Sequence, residues 1–231
     1  EIDFKEAAFG VEKKMSLRKQ SKCDVCGGTG AEPGSKIEIC PTCGGQGRLV
    51  QTQRTFLGAM QTEVTCHDCQ GVGKKSSKKC KHCGGSGVGT KTSDIKIKIP
   101  AGIDNNQSIR LEGHGEAAGH GGASGDLYVR VRVKSLKGFA RSGYDVHTEK
   151  EISYPQAALG DTIAVETLDG EIKLVVPEGT ESGQLIRIRG KGIKYLERNA
   201  RGDHYVNVKI RVPKKLNRET RKKLEELKDE L

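Results

Sequence analysis

Residues Ile95-Lys-Ile-Lys-Ile-Pro-Ala-Gly102 recur, shifted by 77 positions, as Ile172-Lys-Leu-Val-Val-Pro-Glu-Gly179, and this echo sets how the rest of the chain is parsed. The match continues: Ile109-Arg-Leu-Glu-Gly-His-Gly115 falls on Ile186-Arg-Ile-Arg-Gly-Lys-Gly192, and Gly125-Asp-Leu-Tyr-Val-Arg-Val-Arg-Val133 falls on Gly202-Asp-His-Tyr-Val-Asn-Val-Lys-Ile210. From 95 to 133, 39 positions align without a gap and 15 are identical. Self-similarity on this scale marks a duplicated structural unit.

The opening Glu1-Ile-Asp-Phe-Lys-Glu-Ala-Ala-Phe-Gly10 also has a counterpart, Glu151-Ile-Ser-Tyr-Pro-Gln-Ala-Ala-Leu-Gly160, but at a shift of 150, so the first copy carries 73 extra residues. In the second copy the equivalent place is short: Leu168-Asp169-Gly170 joins two alternating apolar runs, a strong hairpin signal. In the first copy that turn, between a strand around Met15 and Leu17 and a strand over Ile95 to Ile99, is replaced by a long excursion. Stretches such as Leu127-Tyr-Val-Arg-Val-Arg-Val133 and Val206-Asn-Val-Lys-Ile-Arg-Val212 alternate with period 2, as strands with one buried face do. The expected fold is therefore mainly β: two repeated small β-sandwich-like domains, residues 1–18 with 92–137 and residues 138–213, with residues 19–91 inserted into the first. Beyond Pro213, Leu224, Leu227 and Leu231 mark one face of a short C-terminal helix over 214–231.

All eight cysteines lie in the excursion, in four copies of one pattern: Cys23-Asp-Val-Cys-Gly-Gly-Thr-Gly30, Cys40-Pro-Thr-Cys-Gly-Gly-Gln-Gly47, Cys66-His-Asp-Cys-Gln-Gly-Val-Gly73 and Cys80-Lys-His-Cys-Gly-Gly-Ser-Gly87. Two such pairs make a tetrahedral thiolate site for Zn²⁺, so four make two sites. The glycines let the chain turn tightly and bring backbone close to sulfur. A disulfide framework fits less well, because no secretory signal opens the chain and the Cys-x-x-Cys spacing repeats. A thioredoxin-type redox motif normally occurs once, beside a βαβ pattern. His67 and His82, between paired cysteines, read as exposed spacers. Because the ends of the excursion must meet, the first and fourth motifs pair, giving Cys23, Cys26, Cys80 and Cys83. The alternating stretch Arg48–Thr65, with Gly58 near its middle, folds back as a hairpin and unites Cys40, Cys43, Cys66 and Cys69.

Aromatics are only 4% of 231 residues, Trp is absent, and charged residues reach 30%, so metal stands in for core in the cysteine-rich part. The net charge of +10 raises nucleic acid as a partner. Against it, stacking aromatics are nearly missing from the arm, where Phe56 stands alone, and the run Lys74-Lys-Ser-Ser-Lys-Lys-Cys-Lys81 serves to balance thiolate charge or to face water. No apolar run is long enough to span a membrane. The loop containing His114 and His120 repeats only its glycines in the second copy, and Asp126 and Asp203 read as turn residues, so no catalytic constellation emerges.

Four Cys-x-x-Cys-x-Gly-x-Gly motifs inside the first of two β-repeats resemble the C-terminal part of the bacterial DnaJ family, the class A J-domain co-chaperones. Ile99-Pro-Ala-Gly102, Val176-Pro-Glu-Gly179, Gly125-Asp-Leu-Tyr-Val129, Phe139-Ala-Arg-Ser-Gly143 and Ala157-Ala-Leu-Gly160 carry the resemblance through the whole chain. The family's J-domain, with its His-Pro-Asp motif, and its Gly/Phe-rich linker are absent from these residues. The resemblance implies a cytoplasmic module, not an enzyme, that binds unfolded polypeptide for a DnaK-type chaperone. It also implies the same zinc pairing and, in the full-length protein, a homodimer whose interface begins within 214–231. It places a client groove in the first β-domain, where Met15, Leu17, Ile95, Ile97, Leu127 and Val129 form the aliphatic face.

Overall fold

The computed structural model describes residues 1–55 and 58–228, so Phe56 and Leu231 lie outside the described residues. In chain order the elements are α1 (Phe4–Phe9), β1 (Val11–Lys22), β2 (Ile37–Ile39), β3 (Arg48–Thr55), β4 (Gly58–Thr65), β5 (Lys74–Ser76), β6 (Val88–Ile99), β7 (Ser108–Leu111) and β8 (Leu127–Arg130). They continue as β9 (Phe139–Ser142), β10 (Asp145–Ser153), α2 (Tyr154–Leu159), β11 (Asp161–Thr167), β12 (Gly170–Val176), β13 (Leu185–Ile188), β14 (His204–Arg211) and α3 (Arg218–Glu226). Two compact units result: Glu1–Glu12 with Lys98–Gln107 and Val131–Leu231, and Lys13–Ile97 with Ser108–Arg130.

In the second copy β11 and β12 form the expected hairpin, Thr167 pairing with Gly170. Its apolar face, Ile163, Val165, Leu174 and Val176, packs on Ile152, Val206 and Val208 of a four-stranded sheet ordered β13-β14-β10-β9. That is the sandwich, closed at one side by Ala157 of α2. In the first copy the same hairpin is β1 paired with β6, and every cysteine motif lies between them. The copies differ in one respect that bears on function. β14 runs eight residues, antiparallel to β13 on one side and parallel to β10 on the other, whereas β8 has four residues and, among the described residues, pairs as a strand only with β7. The Ile152 to Ile210 pairing survives in the first copy as a single bridge from Ile2 to Val133. A strand held on one side is shorter than its sequence alternation suggests.

Both copies open with a six-residue helix that the period-2 reading passes over. Each has a capping signature: the Asp3 amide donates to Glu6 Oε2 at 2.9 Å and the Ser153 amide to Gln156 Oε1 at 2.9 Å. The turn markers also find a cause. Arg141, from Phe139-Ala-Arg-Ser-Gly143, donates to the carbonyls of Gly102 at 2.9 Å and Ile103 at 2.6 Å and so ties β9 to the Ile99-Pro-Ala-Gly102 turn.

His204 on β14 is fully buried, with Nε2 2.8 Å from Thr148 Oγ1, its ring tilted against Phe139 and Nδ1 without a partner. Burial, with the neighbouring His147, lowers its pKa below 6.5. A group depressed in this way holds the fold above its unfolded pKa, near 6.5, and withdraws stability as pH falls below that toward the folded value. Amide protection on β10 and β14 should therefore weaken on acidification below about pH 6.5. A His204→Gln protein should show a flatter profile, and an unchanged slope there would assign the pH dependence elsewhere.

Candidate metal centres

Each cysteine motif folds into the same knuckle. The amide of its closing glycine donates to the second cysteine's sulfur: Gly30 to Cys26 at 3.3 Å, Gly47 to Cys43 at 3.2 Å, Gly73 to Cys69 at 3.3 Å and Gly87 to Cys83 at 3.2 Å. Knuckles then pair reciprocally. The Cys23 amide donates to the Gly87 carbonyl and the Cys80 amide to Gly30, while Cys40 donates to Gly73 and Cys66 to Gly47, all within 2.9 to 3.0 Å. This is why the last glycine is needed. Gly73 sits at φ +76°, and a Cβ there would run into the Gly45 carbonyl of its partner motif; Gly47 bears the same relation to Gly71. The sequence reading assigned the glycines to turning and to approaching sulfur, and the close backbone contact between partner motifs is an added constraint.

The sulfurs form two groups, Cys23, Cys26, Cys80 and Cys83, and Cys40, Cys43, Cys66 and Cys69, each with all four Sγ atoms within 4.8 Å of one another. Cys26 Sγ lies 3.9 Å from Cys83 Sγ, Cys40 Sγ 4.0 Å from Cys66 Sγ and Cys43 Sγ 3.6 Å from Cys69 Sγ. A tetrahedron with Zn–S bonds of about 2.3 Å has edges of about 3.8 Å, so each group fits one Zn²⁺. Burial lifts the Cys83 thiol, but the Gly87 and Gly85 amides with the Cys80 and Cys26 sulfurs outweigh it and bring it down to about 6. Around Cys69 burial is likewise outweighed, chiefly by the Gly73 amide and the Cys43 and Cys66 sulfurs, giving about 7. Donors aimed at Cys83 and Cys69 thus favour the thiolate there, whereas at Cys66 the backbone amide of Cys69 is outweighed by burial and the Cys69 and Cys40 sulfurs, which push the thiol up to about 11.

The centres are not equivalent. All four cysteines of the second are buried, and Leu49 and Val72 pack against them. In the first, Cys23 and Cys80 are buried but Cys26 and Cys83 are only half-buried. Val72 was missed as a covering residue, although it is the one apolar side chain among Thr29, Gln46, Val72 and Ser86 at the variable position between each motif's last glycines. His67 and His82 are exposed; His82 Nδ1 lies 3.5 Å from Cys23 Sγ. The hairpin between the second and third motifs is β3 with β4, Arg48 opposite Thr65.

The proposed groove residues lie on two ladders. Met15 and Leu17 on β1 are half-buried, and Ile95 and Ile97 on β6 are buried. Leu127 and Val129 on β8 stand opposite Leu111 and Ile109 of β7, and all four are half-buried. The aligned His204 and Val206 of the second copy are 0% exposed.

With this geometry in hand, the pattern of the DnaJ C terminal domain matches residues 1–213. The chain belongs to the DnaJ C-terminal domain family. It is 46% identical over 231 residues to a chaperone protein DnaJ of Fusobacterium nucleatum subsp. polymorphum, covering 100% of this chain and 58% of the relative. It is 43% identical over 225 residues to the chaperone protein DnaJ of Halalkalibacterium halodurans, covering 97% and 61%. It is 45% identical over 217 residues to that of Methanothermobacter thermautotrophicus, covering 94% and 58%. The chain thus spans about three fifths of the length of these DnaJ relatives. The two four-cysteine centres are the zinc sites of this DnaJ-type module, two ions per chain. Among the described residues no helix is long and apolar enough to cross a membrane.

Proposed function

We propose that this DnaJ-type chain is a co-chaperone module, not an enzyme, that holds non-native polypeptide and passes it to a DnaK-type chaperone in the cytoplasm. In this reading residues 1–18 with 92–137 bind the client, 19–91 form the zinc arm, 138–213 form a second β-domain, and 214–231 begin a homodimer interface. Nucleic acid and membrane are not its partners.

The observation that carries the reading is the difference between the copies at aligned positions. Val129 and Leu127 are half-covered on a ladder held on one side, whereas Val206 and His204 are sealed in a four-stranded sheet. An extended client can add a strand to an open edge through backbone hydrogen bonds, which carry no sequence preference, while one large apolar side chain enters the half-covered face. For dimerisation, the support is that α3 buries no residue and leaves Leu224 and Leu227 exposed.

Burying one large aliphatic side chain is worth about 1.5 to 3 kcal/mol, or roughly 10- to 150-fold in affinity. Leu17→Ser and Val129→Asp should weaken binding of a labelled apolar peptide by at least about tenfold with two zinc ions retained. Val165→Ser in the second copy should weaken it far less. Equal losses from both copies, in proteins whose circular dichroism is unchanged, would remove the client site from the first β-domain.

A further inference from the structure

We propose that the outer face of α2, together with the Val176-Pro-Glu-Gly179 turn, is a docking surface for a partner protein, and that it takes an apolar segment bearing an arginine.

The internal repeat carries this, because the first copy has the same surface and fills it from within the chain. Phe4 and Ala8 of α1 are 8% and 1% exposed, packed with Val146, Leu168 and Ile193 of the second copy. The turn beside them is covered too. Gly102 is buried, and a Cβ on it would run into the Lys194 carbonyl. Arg141 donates to the Gly102 and Ile103 carbonyls, with its Nε 3.6 Å from Asp104 Oδ1, and Arg201 stands over the Phe9 ring at 5.3 Å. At the aligned positions of the second copy the cover is gone. Tyr154 and Leu159 are 46% and 79% exposed, Ala158 and Gly179 are exposed, and among the described residues nothing lies within 4 Å of a Cβ on Gly179.

The turn itself repeats in detail. The Asp104 amide donates to Gln107 Oε1 at 2.8 Å, and the Glu181 amide to Gln184 Oε1 at 3.0 Å. Glu181 therefore stands at the position where Asp104 meets Arg141, and Glu178 adds a carboxylate where the first copy has Ala101. Charge then names the guest. The chain has a net charge of +10, yet residues 151–186 hold seven acidic residues and one lysine. A guanidinium suits such a surface: its fork reaches two neighbouring carbonyls and a carboxylate at once, while its stem lies on apolar groups. Apolar neighbours of that arginine would cover Tyr154, Ala158 and Leu159 as Val146 and Ile193 cover Phe4 and Ala8. A second copy cannot be the guest through the same elements, because its Val146, Ile193 and Arg141 are engaged by its own α1 and Gly102 turn. The guest is thus a segment of a different protein.

The test titrates isotope-labelled, zinc-loaded protein with a synthetic peptide of the sequence Leu136–Gly143, which carries Phe139 and Arg141, and with the same peptide bearing alanine in place of the arginine. Backbone amide resonances of Tyr154–Leu159 and Glu178–Glu181 should shift, and the alanine peptide should bind at least about tenfold more weakly, as the loss of charge-assisted hydrogen bonds implies. Leu159→Ser, and Glu178→Gln combined with Glu181→Gln, all at exposed positions, should each weaken the arginine peptide by about threefold or more. Shifts confined to β7 and β8, equal affinity for the two peptides, unchanged affinity in the variants, or sedimentation showing two copies that Leu159→Ser separates would each overturn the proposal.

Discussion

Cys40→Ser is expected to leave one zinc per chain in place of two and to unfold the outer part of the arm, β3 and β4 included, while the β9–β14 sandwich keeps its protection. Cys40 is fully buried, its amide holds the partner knuckle at Gly73, and its sulfur lies 4.0 Å from Cys66. Little else holds this region. Among the described residues only Leu49 and Val72 pack on the four sulfurs, while Ile37, Ile39, Val50 and Met60 are exposed. Structural zinc in small modules contributes on the order of 10 to 16 kcal/mol apparent free energy, far more than two half-covered aliphatic side chains. Elemental analysis and hydrogen exchange over Arg48–Thr65 check the expectation. Retention of both ions, or slow exchange across β3 and β4 in the one-zinc protein, would show that burial holds the arm after all.

Gly73→Ala is expected to cost the second centre at least about 100-fold in zinc affinity, close to 3 kcal/mol, although no ligand is touched. Three penalties combine. An alanine at φ +76° is strained by about 1 to 3 kcal/mol. Its Cβ meets the Gly45 carbonyl, and relieving that clash moves the knuckle whose amide holds Cys69 Sγ at 3.3 Å and whose carbonyl accepts from Cys40 at 2.9 Å. Gly44 gives the contrast. Its φ is +60° but nothing lies within 4 Å of a Cβ there, and the third motif already carries Gln70 at the aligned position with φ +51°. Gly44→Gln should therefore change zinc affinity by less than about tenfold, and a competitive titration in which both variants lose equally would refute the contact argument.

These positions also show what was readable from residues alone. The β1–β6 hairpin and the pairing of motifs followed from one asymmetry, the 73-residue excursion opposite Leu168-Asp169-Gly170, because chain connectivity leaves a hairpin's ends no alternative but to meet. Ligand identity followed from spacing. The one-and-a-half-turn helices α1 and α2 did not, since six residues are too few to display a 3.6 period, and only their Asp-x-x-Glu and Ser-x-x-Gln caps betrayed them. Nor could alternation tell Val129 from Val206, because both sequences alternate identically and the difference lies in how many neighbouring strands cover them. The role of each closing glycine was half visible: positive φ is a local property, but contact with a carbonyl in another motif is not.

The nesting of the motif pairs has a kinetic meaning. Cys40 and Cys66 are 26 positions apart, inside the 57 that separate Cys26 from Cys83. Closing the longer loop from an open chain costs about 0.7 kcal/mol more than closing the shorter one, on the logarithmic scaling of loop entropy. Once the inner centre has gathered its ion, much of that longer loop is already cinched. The inner ligands are also complete fourteen residues before Cys83 leaves the ribosome, since Cys69 precedes it by that number. Assembly therefore runs like a drawstring pulled from the tip toward the base.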